Sequence, residues 1–332
     1  MKRILASLIT LLLVIGLAGC AAKTETPAPQ PAPQAEKVNI AIVQIVQHPA
    51  LDTARQGFLD ALADKGYKQN ENLVVDYQNA QGEQANLQTI SQKFVQDKPK
   101  LVLAIATPAA VAMANATTDI PILITAVTDP VSAKLVKSNE KPDTNVTGTS
   151  DMNPVADQLK LIKEIIPTAK KVGIIYNSSE INSQVQADIA DKAAPGLGVE
   201  IVKVTVTASN EVMQAAQSMV GRVDAIYVPT DNMVVSAIAS VVKIGEDNDI
   251  PVFGAESNTV ESGALATVGI DYYQLGRMTG DMAVRVLKGE KPQEMAIQQQ
   301  QGSDLVLNLK AAQNMGVTVP EAVIARAKTV IK

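Results

Sequence analysis

Short apolar runs alternate with segments of helical length along nearly the whole chain, and this alternation limits the fold more than any other feature. "VNIAIVQIV" (38–46), "NLVVDYQNA" (72–80), "KLVLAIA" (100–106) and "IPILITAV" (120–127) read as strands. Between them "PALDTARQGFLDALADKG" (49–66), "EQANLQTISQKFVQD" (83–97) and "TPAAVAMANAT" (107–117) read as helices. Continuous apolar strands separated by helices predict a parallel sheet covered on both faces.

The pattern then repeats. Strands are predicted at 170–177, 199–206, 223–229 and 250–255, with helices at 181–194, 209–221 and 232–248. The halves correspond at an offset of about 130 residues, a separation of the size expected for one α/β domain. The match includes Asp119-Ile120-Pro121 against Asp249-Ile250-Pro251, each between a small-residue helix and a strand. The expected fold is α/β, with two Rossmann-like doubly wound parallel sheets. In such sheets ligands sit beyond the carboxyl ends of the strands. Two halves facing each other would bring both sets of ends to one cleft.

Those ends carry hydrogen-bonding groups and few nucleophiles. In the first half they give Gln47 and His48, then Thr107, then Thr128 and Asp129. In the second they give "NSSEINS" with Ser179, Glu180, Asn182 and Ser183, then Asp231 and Asn232, then Glu256, and later Asp271. Such residues are also the preferred helix N-caps, so capping and ligand binding stay open for each one singly. Their convergence favours a ligand. Helix N-termini at Thr107 and Thr128 suit a carboxylate, while Asp231, Glu256, Asp271 or Glu180 suit an ammonium. Together they suit an α-amino acid, with Glu256 or Asp231 as the leading ammonium partners.

Several chemistries are disfavoured. No GxGxxG follows the first strand, and there is no phosphate-binding GxxxxGK[ST] and no GxSxG elbow. His48 is the sole histidine and Cys20 the sole cysteine. A His-Cys metal cluster is therefore impossible, no disulfide can form within the chain, and no cofactor is expected. The formal net charge is −5 and no Lys/Arg-rich block is present, which disfavours nucleic acid. Trp is absent, which disfavours a sugar stacked on aromatic faces.

The N-terminal stretch has Lys2 and Arg3, an apolar segment from Ile4, and "LAGC" ending at Cys20. It reads as a signal peptide (1–19) whose lipobox-like end makes Cys20 a lipidated N-terminus. The Pro-rich 20–37 stretch reads as a flexible tether.

Taken with this lipobox, "HPALD", "TPAA", "AVTDPV", "GTSD", "YNSSEINS", "PTDN" and "DYYQLG" resemble the ABC-transporter substrate-binding lipoproteins of the tryptophan/tyrosine class. The resemblance covers the whole mature chain. It implies a type I periplasmic-binding-protein fold, with three segments crossing between domains at 145–151, 266–272 and 302–308. The domains would be 38–149 plus 272–301 and 150–271 plus 302–332. It further implies a monomeric, non-enzymatic protein, lipid-anchored outside the cytoplasmic membrane. Such a protein captures an aromatic amino acid and delivers it to an ABC permease and its ATPase. A sensor for another polar solute and an anchored α/β hydrolase are the alternatives.

Overall fold

The computed structural model describes residues 37–332. The leader, Cys20 and the tether up to residue 36 lie outside the described residues.

The first half runs β1 (Val38–Gln44), α1 (Pro49–Asp64), β2 (Leu73–Asn79), α2 (Gln84–Asp97), β3 (Val102–Ile105), α3 (Thr107–Ala116), β4 (Ile122–Val127) and β5 (Val146–Ser150). The second begins with α4 (Val155–Ile165), β6 (Lys171–Asn177), α5 (Ile181–Ala193), β7 (Glu200–Val206), α6 (Val212–Gln217) and β8 (Ala225–Val228). It continues through α7 (Asn232–Ser236), α8 (Ile238–Asp247), β9 (Val252–Gly254), α9 (Ser257–Glu261) and β10 (Ala266–Gly269). The chain closes with α10 (Tyr272–Leu287), β11 (Gln298–Gln299), β12 (Asp304–Asn308), α11 (Leu309–Asn314), α12 (Glu321–Ile324) and β13 (Thr329–Ile331).

Two sheets form, ordered β11-β5-β4-β3-β1-β2 and β13-β12-β10-β9-β8-β6-β7. Every pairing is parallel except β10 with β12. Five strands of each sheet share one winding: β2-β1-β3-β4-β5 matches β7-β6-β8-β9-β10. The sequence repeat is thus a repeat of topology. The order reverses beside β1 and beside β6, where a crevice opens at the strand ends.

The chain passes from the first sheet to the second after β5, back after β10, and across again between β11 and β12. Helix α10 returns to the first lobe and packs on α1 through small residues. A Cβ on Gly276 would stand 1.9 Å from Ala54 O, and one on Gly57 would stand 2.1 Å from Tyr273 O. Only glycine permits so close a backbone approach. The cores are aliphatic, with Ile40, Ile42, Leu103 and Ile124 buried in the first sheet and Ile174, Ile226 and Val252 in the second.

Two helices differ from the sequence expectation. The 232–248 helix breaks at Ala237, whose φ of −113° and ψ of 20° end α7 before α8 begins. The 209–221 helix opens as a 3-10 turn at Ser209–Glu211 and turns α-helical only at Val212.

Candidate functional site

A small, tightly closed cavity lies between the two sets of strand ends. His48, Leu51 and Ala126 line it from the first sheet, and Asn182, Thr230, Asn232 and Glu256 from the second. Asp151 and Tyr272 line it from the segments that cross between lobes. Neither Lys nor Arg is among the lining residues.

The backbone is strained where the first sheet meets this space. Ala106, after β3, has φ of 78°, and Ala126, near the end of β4, has φ of 56°. The β4–β5 register shifts between Ile124 and Val127. A bulge of this kind redirects the residues that follow it, here Val127 and Thr128, at the cleft. Left-handed non-glycine residues are costly and concentrate at ligand sites.

The lining polar groups form two sets with no hydrogen bond between them. The first is acidic. Tyr272 Oη donates to Asp151 Oδ2 at 2.5 Å. Asp151 Oδ1 and Glu256 Oε1 are buried without partners. Burial, then the nearby Asp151 charge, pushes the Glu256 carboxyl up to about 8. Burial likewise raises Asp151. An ammonium would relieve both, because a neighbouring positive charge favours the ionised carboxylates.

The second set is a network of amides and carboxylates. Asp231 caps α7: its Oδ1 accepts from Met233 N at 3.0 Å and Val234 N at 2.8 Å. Its Oδ2 accepts from Asn177 N at 2.5 Å and Ser183 Oγ at 2.6 Å. Glu180 accepts from Asn177 Nδ2 at 3.2 Å, from Asn182 Nδ2 at 3.1 Å and from Asn232 Nδ2. Burial, then the Asp231 charge, raises Glu180 to about 8. Both oxygens of each carboxylate are therefore engaged within the second lobe. His48 is fully enclosed, and burial lowers its pKa to about 4 against the pull of Asp52 and a hydrogen bond to Asn232. Its Nδ1 has no partner, nor does Asn182 Oδ1.

The structure brings His48, Asn182, Asp231, Asn232 and Glu256 to the cavity. Thr107 is not among the residues lining this cavity; it is buried with Oγ1 unpartnered and lines a separate depression that Ser179 and Glu180 also line. Thr128 Oγ1 meets Thr230 Oγ1 at 3.4 Å across the two lobes. Gln47 and Ser179 are exposed, and Ser179 Oγ donates to Asn177 Oδ1 at 2.7 Å. Asp129 caps its own turn, accepting from Val131 N and from Ser132 N, each at 3.1 Å. Asp271 caps α10 by accepting from Gln274 N at 3.1 Å. The "NSSEINS" stretch is thus mainly internal scaffolding: Asn177 and Ser183 hold Asp231, and Asn182 reaches the cavity.

Asp151 and Tyr272 were not among the expected site residues. The strand-end rule that selected Glu256 applies equally to Asp151, which directly follows β5. Tyr272 follows the cap Asp271, but its reach to Asp151 is a tertiary contact that local pattern does not reveal.

Two doubly wound lobes with a polar cavity at their facing strand ends define a two-lobed solute-binding protein. The chain belongs to the ABC transporter substrate-binding protein family, whose model matches residues 39–331. It therefore binds a solute rather than transforming one and works outside the cytoplasm, on the type I periplasmic-binding-protein fold. It is 47% identical over 270 residues to a tyrosine-binding protein of Clostridioides difficile, covering 81% of this chain and 78% of that one. An ABC domain from Streptococcus pneumoniae, solved in complex with L-Trp, superimposes with a TM-score of 0.86. It is 40% identical, over 89% of this chain and 100% of that chain. A ligand-free, open substrate-binding protein from Clostridium difficile is 47% identical over 89% of this chain and 99% of that chain, yet its TM-score is 0.67. Among the described residues no helix is long and apolar enough to cross a membrane, and no cluster of His, Cys, Asp or Glu could hold a metal.

Proposed function

We propose that the protein captures an aromatic L-amino acid between its lobes and hands it to an ABC permease driven by its ATPase. The observation that carries this reading is the pair of buried, unpartnered carboxylate oxygens on Asp151 and Glu256 in a cavity that neither Lys nor Arg lines. A ligand ammonium completes them. The ligand carboxylate is then directed to the first lobe, where α3 presents its N-terminus, Ala106 and Ala126 are left-handed and the Thr107 hydroxyl lacks a partner. Asp231 and Glu180 support this site from behind. The closer superposition on the Trp-bound relative than on the open one supports a closed arrangement of lobes, and the tyrosine-binding and Trp-bound relatives support an aromatic ligand.

In this reading the lobes comprise 38–149 plus 272–301 and 150–271 plus 302–332, and they rotate about the three crossings. Cys20 carries the lipid anchor, and the protein acts as a monomer. Mass spectrometry of the native protein tests the anchor: a diacylated N-terminal Cys20 is expected, and an unmodified chain beginning elsewhere contradicts it.

The ligand class is tested by thermal shift with amino acids, sugars and nucleosides. An aromatic amino acid at a hundred times its dissociation constant should stabilise the protein by about 2.7 kcal/mol. Stabilisation by sugars or nucleosides alone would overturn the reading.

A further inference from the structure

Glu256 lies just beyond a place where two strands pair only briefly. Strands β9 and β10 meet with Ala266 set against Phe253. Two residues further along each chain, the Ala255 and Val268 carbonyls both accept from one side chain, Gln158 Nε2, at 2.9 and 2.8 Å. Gln158 Oε1 accepts in turn from the Tyr227 hydroxyl on β8. Gln158 is buried and is not among the residues that line the cavity.

Three neighbours fix this amide in one orientation. The two carbonyls can only accept, so the nitrogen faces them and the oxygen faces Tyr227. Glu256 directly follows Ala255, and Val268 leads through Gly269 to Tyr272, whose Oη donates to Asp151. Helix α4, which carries Gln158, follows Asp151 itself. One side chain thus ties together the three segments that deliver Asp151, Glu256 and Tyr272. Gly269 lets them approach: an added Cβ there would stand 2.7 Å from Ala255 O and 3.3 Å from Glu256 Cα. The clip works against a repulsion, since Asp151 and Glu256 are both buried and carry like charge when ionised.

We infer that Gln158 is a positioning residue for the ammonium site: it holds Glu256 at a fixed spacing from Tyr272 and Asp151 without touching the ligand. This rests on the proposed binding of an ammonium by Glu256 and Asp151. A charged contact rewards only the geometry that brings its partners within hydrogen-bond reach, and a site whose support lets it drift by about 1 Å loses much of its function. Removing the Gln158 amide would leave two carbonyls and a hydroxyl buried without these partners, which is costly. The strand ends would shift to find others, and Glu256 would move with them.

Calorimetry of the full chain tests this with two ligand pairs: L-tyrosine against 3-(4-hydroxyphenyl)propionate, and L-tryptophan against indole-3-propionate. Each pair differs only in the ammonium. The wild type should bind the better amino acid at least about thirtyfold tighter than its analogue. In Gln158→Met, which keeps length and loses both polar atoms, that ratio should shrink to within about threefold, with the analogue's own affinity unchanged. A purely structural role would weaken both members of a pair equally and preserve the ratio, and that result would overturn the inference while leaving the ammonium site standing. Should Gln158→Met fail to fold, Tyr227→Phe decides: it removes only the hydroxyl that fixes the amide, and the ratio should fall by at least about threefold. An unchanged ratio there would overturn the inference. A wild type that binds neither amino acid, or binds both members of each pair equally, would overturn the ammonium site and the inference with it.

Discussion

Met233, on a helix of the second lobe, is buried in the apolar core of the first and lies against Gly82, where an added Cβ would stand 3.3 Å from its Sδ and Cε. Gly82 has φ of 82° and donates its N–H to the Ile45 carbonyl at 2.7 Å. The side chain thus bridges the lobes without lining the cavity, and in the proposed closure this contact would help hold the lobes together. Met233→Ala should raise the ligand release rate by about tenfold, corresponding to the loss of roughly 1.4 kcal/mol of packing present only when the lobes meet. Stopped-flow release at saturating ligand measures it. An unchanged rate would show that the contact does not hold the lobes.

Asp231 and Glu256 should separate when each loses its charge. Asp231 is fully engaged as a cap, so Asp231→Asn should lower stability by about 1–2 kcal/mol and change affinity little. Glu256→Gln should weaken amino acid binding by about 2–5 kcal/mol, the range for removing one member of a desolvated charge pair. Denaturation and calorimetry on both variants measure the contrast. Equal affinity losses would remove the distinction drawn between cap and ligand partner.

The acidic pair should make binding pH-dependent. Unfolded, the Glu256 carboxyl loses its proton near 4.5; folded, it keeps it up to about 8. In that window the folded state holds the extra proton, so stability of the unliganded protein falls as pH rises and levels off above about 8. Glu180 acts in the same direction. His48 opposes it between about 4 and 6.5, where the unfolded chain binds the extra proton. The net decline should therefore be steepest from about 6.5 to 8. A bound ammonium favours the ionised carboxylate, so affinity should rise with pH across that interval, by up to about tenfold per unit for one coupled proton. Calorimetry in buffers of different ionisation heat should detect proton release. Affinity independent of pH from 5 to 8 would contradict the arrangement.

The α1–α10 contact should tolerate no added volume. Gly276→Val would drive a side chain into the Ala54 carbonyl. Overpacking of this kind costs about 1–3 kcal/mol. Thermal denaturation should show the loss, and a melting temperature equal to wild type would mean that α10 can shift.

The alternation of apolar runs revealed the strands and the duplication because each sheet is buried on both faces, so periodicity alone carries that information. The Ala237 break was hidden, since alanine in a helical run gives no stop signal. At the site, residue type could not separate Asp231 from Asp151. Both are aspartates at strand ends. Asp231 finds four donors within its own lobe, whereas one oxygen of Asp151 finds none. That difference is made by tertiary neighbours. His48 and Asn182 were legible as polar strand-end residues, but their unpartnered atoms were not.

In the proposed complex Glu256 and Asp151 hold the ammonium of an aromatic amino acid. Calorimetry on the wild-type protein can compare L-tyrosine with its des-amino analogue, 3-(4-hydroxyphenyl)propionate. The two share ring, phenol and carboxylate and differ only in the ammonium. L-tyrosine should bind saturably and one-to-one, and the analogue at least about thirtyfold more weakly, corresponding to the lower end of the cost of leaving a buried charge unpaired. Equal affinity for the two would contradict it.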